Sequence, residues 1–354
     1  MKRILSFLVI GAAAVSGVTL SARQQAPAAA TAQPAPQGQG GGGRGGAAPV
    51  RDPANTTNER EKIQIDQFFG DANDATAHLS HGGLLTRAML TKGNPNVPGP
   101  AGAVLEYRTQ IAKATLLPKS STPLMSINSQ FLFYVVSGEG RLDDGTQSWD
   151  LHNGITMLIP QDVKRRFVNT SSEPLEMVME EWPANNFARK DILVRDVTLL
   201  PFCEENAHWN NMSKCPFTAA DGMTGRVLLV MLMPMTMAAP HPHNPTTEET
   251  WTKITPGNSL LLLGSELRDM PQFSTFLAIP DGKTWHAQVN PSKTQVEMWL
   301  YVAGGDVTLA PQGGANRGGG GGGRGPGGPG GGNPNLSRDP AVVDQATVKG
   351  KPLK

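Results

Sequence analysis

The chain has almost no surplus charge: 31 lysines and arginines against 30 aspartates and glutamates leave a formal net charge of +1. That balance excludes electrostatic capture of nucleic acid or of an anionic membrane as the basis of its function. Cysteine is scarce as well. The two present, Cys203 and Cys215, share one short segment. They either close one loop as a local disulfide or stand as separate buried thiols, and spacing alone leaves both readings open. No cysteine adjoins the N-terminal apolar run, so a lipid-anchored leader is not expected. Helical patterning is scarce too: only residues 58–74 (NEREKIQIDQFFGDAND) read as a helix.

What is present divides the chain into five stretches. Lys2 and Arg3, the apolar run from Ile4 to Leu20 and the small residues Ser21 and Ala22 read as a secretory signal over residues 1–22. A retained anchor helix is the alternative, because the run has a length at which signal and anchor overlap. Export to the periplasm or the exterior is therefore expected, with no membrane contact after cleavage. Residues 23–59 are rich in Gln, Ala, Pro and Gly, and residues 309–354 begin with a glycine tract. Both are expected to be disordered tethers, because such compositions bury no core. Between them, short apolar or β-branched runs alternate with Gly, Pro, Asn and Asp: Phe131–Val136, Thr156–Ile159, Leu175–Met179, Val227–Met231, Ser259–Leu263 and Val296–Val302. These are strand signals, and their number and spacing predict an all-β jelly roll or sandwich.

The layout repeats. Tyr134–Gly140, Asp144–Gly145, Ile159–Pro160, Phe167–Asn169 and a strand ending at Trp182 form one unit. Trp251–Gly257, Ile279–Pro280, His286–Asn290 and a strand ending near Tyr301 form a second. Two copies of one order predict two domains, residues 60–185 and 186–308.

The chemistry concentrates in the second unit. His241 and His243 stand two apart, so on a strand both imidazoles point into one cavity. Past a turn through Asn244 and Pro245, Glu248 or Glu249 returns a carboxylate, and His286 follows a Pro-Asp-Gly turn. Three imidazoles and a carboxylate suit one divalent transition metal, Fe or Mn first, with Ni, Cu and Zn open. The constellation resembles the two motifs of the cupin superfamily. His241, His243, Glu248 or Glu249 and Gly257 follow the first motif, and Pro280, Gly282, His286 and Asn290 the second, with one extra residue between Gly282 and His286. Glu249 is preferred to Glu248 because it lies nearer the strand led by Trp251. The resemblance covers residues 100–308 and implies two tandem jelly-roll β-barrels. It also implies a metal held by His241, His243, Glu249 and His286, and chains that pair through their barrels.

The first unit departs from that pattern at the ligands. Met125 and Ile127 stand where His-x-His belongs, Phe131 near the carboxylate position, and Arg165 where the third histidine belongs. None of these holds a divalent cation in that way, so the first barrel is expected to be a scaffold, a dimer surface or a binding pocket. Lys164, Arg165 and Arg166 read as a solvated basic turn, with an inward, carboxylate-binding Arg165 as the sharper alternative. Met231, Met233, Met235 and Met237 fall in step with His241 and His243, either as barrel lining or as thioethers for copper. His78, His81 and His152 read as surface residues, and His208 as a loop residue near the second mouth.

The function expected is that of an exported metal-dependent enzyme, dioxygenase-like or decarboxylase-like. Trp251, Trp285 and Met237 would line an apolar cavity for a small organic or aromatic acid. No catalytic group beyond the ligands is identified. The rival is an exported small-molecule or metal-binding protein without turnover.

Overall fold

The structure is a computed structural model that describes residues 65–184, 189–206, 211–217, 221–223, 225–243, 248–304 and 340–353. The segments expected to be a signal and a linker, residues 1–59, and His208 lie outside the described residues. The rest is almost entirely antiparallel β-sheet, and all six strand signals fall on strands. Among the described residues no helix is long and apolar enough to cross a membrane.

Each unit is a pair of sheets. In the first barrel, one sheet runs Leu193–Asp196, Ile155–Ile159, Ser129–Ser137, Leu175–Pro183, Gln110–Leu116, Leu84–Lys92 and Ala77–Ser80. Its partner sheet contains Gln147–Leu151, Gly140–Asp143 and Arg166–Asn169. Side chains from both form one core, including Phe131, Phe133, Leu142, Trp149 and Phe167. Ser129–Ser137 is buried at eight successive positions. Its odd residues face this core, while Leu132, Tyr134 and Val136 join a second core shared with Leu228, Leu300 and Val302 of the second barrel. Burial on both faces explains its unbroken apolar run.

The second barrel repeats the plan. Ser274–Ala278, Glu248–Lys253, Glu297–Gly304, Gly225–Leu232 and Asn211–Phe217 form its larger sheet, and Trp285–Asn290, Ser259–Leu263 and Glu266–Met270 the smaller. Each barrel also takes an edge strand from the other's span. Phe69–Asp71 pairs with Ser274–Ala278 of the second barrel, and Leu193–Asp196 with Ile155–Ile159 of the first. The cut expected at 185/186 is therefore an exchange of edges, which leaves fewer open strand edges than two separate barrels would.

Four expectations need correction. Residues 65–74 form one 3-10 turn, Ile65–Phe68, followed by a strand, where a helix was expected: Phe68 and Ala72 are drawn into the core. The tail expected to be disordered to residue 354 folds over 340–353. Val343 and Ala346 are buried, Val348 donates its N–H to Val194, and Lys351–Pro352 adds to the edge strand Gln147–Leu151. The methionine row breaks at Met235, whose φ is +57° and which is 66 % exposed; Thr236–Met237 resumes as a separate short strand. Pro234 lacks the N–H a continuous strand would use. Finally, His81 is buried in the first barrel and so is Arg165, at 1 % exposure; of the basic turn Lys164 is exposed and Arg166 half-buried, bonded to Asp143.

The open question about the cysteines is answered. Cys203 and Cys215 form a disulfide with Cα atoms 5.8 Å apart, between Glu204–Asn206 and Asn211–Phe217, which pair as a hairpin.

Candidate metal centre

Two local structures carry the histidines. The turn before His286 is built by Asp281, whose Oδ1 accepts the N–H groups of Lys283 and Thr284 and whose Oδ2 accepts the Thr284 hydroxyl. Gly282 takes φ +69°, which glycine adopts without a steric penalty, and its N–H donates to the His243 carbonyl at 2.8 Å. The Pro-Asp-Gly turn thus fixes the first-motif strand as well as the second. His241–Pro242 pairs with Trp285–Asn290, and His241 is registered directly against His286. Asn290 ends that strand with structural work only: its amide donates to the carbonyls of Leu232, Met233 and Gln295.

The three imidazoles converge, with one ring nitrogen of each within 4.8 Å of the others. Nε2 of His241 and Nε2 of His243 are 3.2 Å apart. Nδ1 of His241 is 2.8 Å from the Ala239 carbonyl, which fixes the proton there and leaves Nε2 as the ligand atom. His286 is fully buried, and neither of its ring nitrogens has a hydrogen-bond partner. Burial, and then the two neighbouring imidazoles, holds its pKa well below the usual histidine value, so the ring stays neutral. Burial likewise lowers His241.

The adjacent carboxylates separate cleanly. Glu249 points into this barrel: its Oε1 lies 2.8 Å from Nε2 of His243 and 4.0 Å from Nε2 of His286. It is held from behind, Oε1 accepting the Trp251 indole N–H at 2.7 Å and Oε2 the Tyr301 hydroxyl at 2.9 Å. Burial and the Glu249 charge raise the Tyr301 pKa well above the ordinary phenol value, so the hydroxyl remains a donor. Glu248 points the other way, towards the first barrel. Its Oε2 accepts the N–H groups of Glu106 and Tyr107, and its Oε1 the Arg108 guanidinium at 2.6 Å. Arg108 also meets Glu180 at 2.6 Å. Burial works to lower the Arg108 pKa, but Glu180 and Glu248 overcome it and raise it. Burial, with the neighbouring Glu248 charge, raises the Glu180 pKa against the opposing pull of Arg108.

A metal fits this donor set. Two ligand nitrogens about 2.0–2.1 Å from one ion at a near-tetrahedral or octahedral angle are about 3 Å apart, as Nε2 of His241 and His243 are. The orphaned, buried and neutral His286 is the costly feature that coordination would remove. Of the residues expected to line a cavity, only Trp251 faces this centre. Trp285 and Met237 are turned outward, 37 % and 42 % exposed, because Trp285 alternates with His286 and Met237 follows the break at Met235. Tyr301 was missed by motif reading; its position opposite Trp251 on the neighbouring strand was the available signal.

Comparison with known proteins bears on the fold. Residues 114–179 match the Cupin domain family, in the first barrel. No curated protein matches the chain in sequence. Among solved structures, the chain resembles a putative glyoxylate-induced protein from Pseudomonas aeruginosa, with TM-score 0.52, 13 % identity, 68 % of this chain and 89 % of that one. It also resembles vicilin from Corylus avellana (hazelnut), with TM-score 0.51, 9 % identity, 69 % of this chain and 86 % of that one. A Bacillus subtilis oxalate decarboxylase variant aligns with TM-score 0.50, 12 % identity, 69 % of this chain and 78 % of that one. At these identities the likeness is one of fold.

Proposed function

We propose that this chain, a cupin of two-barrel architecture, is an exported metal-dependent enzyme. The reaction is dioxygenase-like or decarboxylase-like, on a small organic or aromatic acid. The observation that carries the reading is the second-barrel centre, where His241, His243 and His286 converge beside a carboxylate already anchored by Trp251 and Tyr301. His241, His243, His286 and Glu249 would hold the ion, Fe or Mn by preference, with Ni, Cu and Zn also suited to the donors. A bound ion would supply Lewis acidity and open coordination positions for a substrate oxygen.

The chain's own residues prepare that chemistry. Asp281 and Gly282 set the turn that presents His286. The Ala239 carbonyl fixes the His241 tautomer. Trp251 and Tyr301 orient Glu249 and hold it as an acceptor, so its reorganisation on metal loading is small. The apolar burial around His286 excludes water from the rear of the centre. The Cys203–Cys215 disulfide supports export, because such bonds persist in oxidising compartments.

The test is elemental analysis of the full chain purified without added metal, beside His286→Ala, followed by turnover assays on organic and aromatic acids. About one equivalent of metal, lost in His286→Ala together with any conversion, is expected. Full metal content in that variant would sink the ligand assignment. Metal binding with ligand-induced thermal shifts and no conversion would favour a binding protein.

A further inference from the structure

The first barrel has a second polar centre at the place where the second barrel has its histidines. Met125 and Arg165 exchange backbone hydrogen bonds of 3.1 and 2.8 Å, in the pairing that His241 and His286 make in the other barrel. Arg165 therefore takes the place of His286, and it points inward. Its side chain is 1 % exposed, with the guanidinium carbon 4.6 Å from the centre of the Phe131 ring.

This guanidinium is only partly satisfied. Nη1 donates to the Val163 carbonyl at 3.2 Å, while Nε and Nη2 are buried without a partner. Those two nitrogens form one edge of the planar group, the edge whose parallel N–H bonds match the two oxygens of a carboxylate. Glu181 acts on Arg165 through its charge, yet its Oε2 accepts from Gln110 at 2.7 Å, and among the described residues no carboxylate lies in ion-pair contact with Arg165.

His81 completes the centre. Its ring packs against Phe131 with centroids 4.8 Å apart, its Nδ1 lies 3.1 Å from the Ser80 hydroxyl, and its Nε2 is buried without a partner. Burial, then the Arg165 charge, lowers its pKa to about 3, so the ring is neutral; in the tautomer whose Nδ1 accepts from the Ser80 hydroxyl, Nε2 carries the proton and is free to donate. Phe131 stacks on Phe133, and Phe167 packs at a tilt against Phe133, with ring centroids 5.9 and 4.9 Å apart. A buried cation with two idle donors, a third donor from His81 and an aromatic wall is a costly arrangement unless an anion completes it.

We propose that the first barrel binds a small organic carboxylate, held bidentately by Nε and Nη2 of Arg165 and supported by Nε2 of His81. This site does not depend on the metal reading of the second barrel.

Acetate is the probe, titrated calorimetrically into the full chain in chloride-free buffer, into His241→Ala and into Arg165→Met and Arg165→Lys. Saturable binding to the parent and to His241→Ala, abolished by Arg165→Met and weakened about tenfold by Arg165→Lys, is expected, since lysine keeps the charge but loses the fork. Metal content should be the same in the parent and both Arg165 variants. Absence of saturable binding to the parent, or equal binding by Arg165→Lys, would overturn the proposal. So would sulfate or chloride binding as tightly as acetate, which would show a charge sink without carboxylate geometry. Loss of acetate binding in His241→Ala but not in the Arg165 variants would also overturn it, by placing the acetate in the second barrel.

Discussion

The two barrels share a frame and differ at its centre. In both, an asparagine closes the strand after the turn: Asn169 donates to the carbonyls of Leu116 and Glu173, as Asn290 does to those of Leu232, Met233 and Gln295. In both, a residue of the first motif is registered against one of the second, Met125 with Arg165 and His241 with His286. The inward residues are what change. The second barrel converges three neutral imidazoles and a carboxylate, a set suited to a cation. The first converges a guanidinium, a neutral imidazole and an aromatic face, a set suited to an anion. The frame rests on backbone pairing and on the asparagine amide, so the residues at the mouth are free to reverse the sign of what is bound.

The contrast is sharpest at Glu248 and Glu249, neighbours on one strand whose side chains serve different barrels. Glu248→Gln removes the charge that holds Arg108 and weakens two backbone N–H contacts within a buried network. A loss of roughly 1.5–3 kcal/mol of stability is expected in chemical unfolding, because the amide leaves at least one of the three buried donors unpaired while Glu180 still neutralises Arg108. Glu249→Gln should cost less stability and instead weaken metal affinity by at least about 100-fold, beyond what loss of an outer-shell partner costs, read by competition with a chelator. Equal effects of the two variants on metal would break the division of labour.

How much of this was legible beforehand follows the same division. The two-barrel frame could be read because it is made of local signals, the strand runs and the turn glycines at 138, 257 and 282, which take positive φ. The histidine set was legible because its spacing is local as well. Glu248 and Glu249 could not be separated by gap counting. The choice depends on which face of the strand meets Arg108, some 140 residues away in sequence. His81 and Arg165 looked like surface residues for a related reason: polarity predicts exposure on average, and no local pattern reveals that a turn closes over a barrel mouth. The folded segment 340–353 was hidden behind a glycine tract, although its Ala341, Val342 and Val343 were an apolar signal.

A pH experiment sharpens the reading of the first mouth. In the folded chain His81 stays neutral down to about pH 3, whereas in the unfolded chain it takes up a proton near pH 6.5. Between those values the unfolded state binds the extra proton, so stability falls as pH drops through the window. Relative to His81→Leu, the parent should lose roughly 2–3 kcal/mol on going from neutral pH to about pH 4.5, at about 1.4 kcal/mol per pH unit below the unfolded pKa. Parallel stability curves for the two proteins would mean that His81 is not held neutral by its surroundings, and that the first mouth is wetter than its burial indicates.

The smallest expected effect tests the second mouth from behind. The Tyr301 hydroxyl reaches the centre through Oε2 of Glu249, to which it donates at 2.9 Å. Tyr301→Phe keeps the ring that packs edge-on against Trp251 at 4.7 Å and removes one hydrogen bond. Glu249 then retains the Trp251 N–H but gains a rotation about its terminal torsion, so the carboxylate is less well aimed at His243. Metal affinity should fall about tenfold, the low end for a group that orients a ligand, with thermal stability of the metal-free chain changed little. A purely structural Tyr301 would show the reverse: metal affinity unchanged and the metal-free chain weakened by the buried oxygen of Glu249 left unpaired. The ratio of those two readouts separates a residue that positions the metal ligand from one that only fills the barrel.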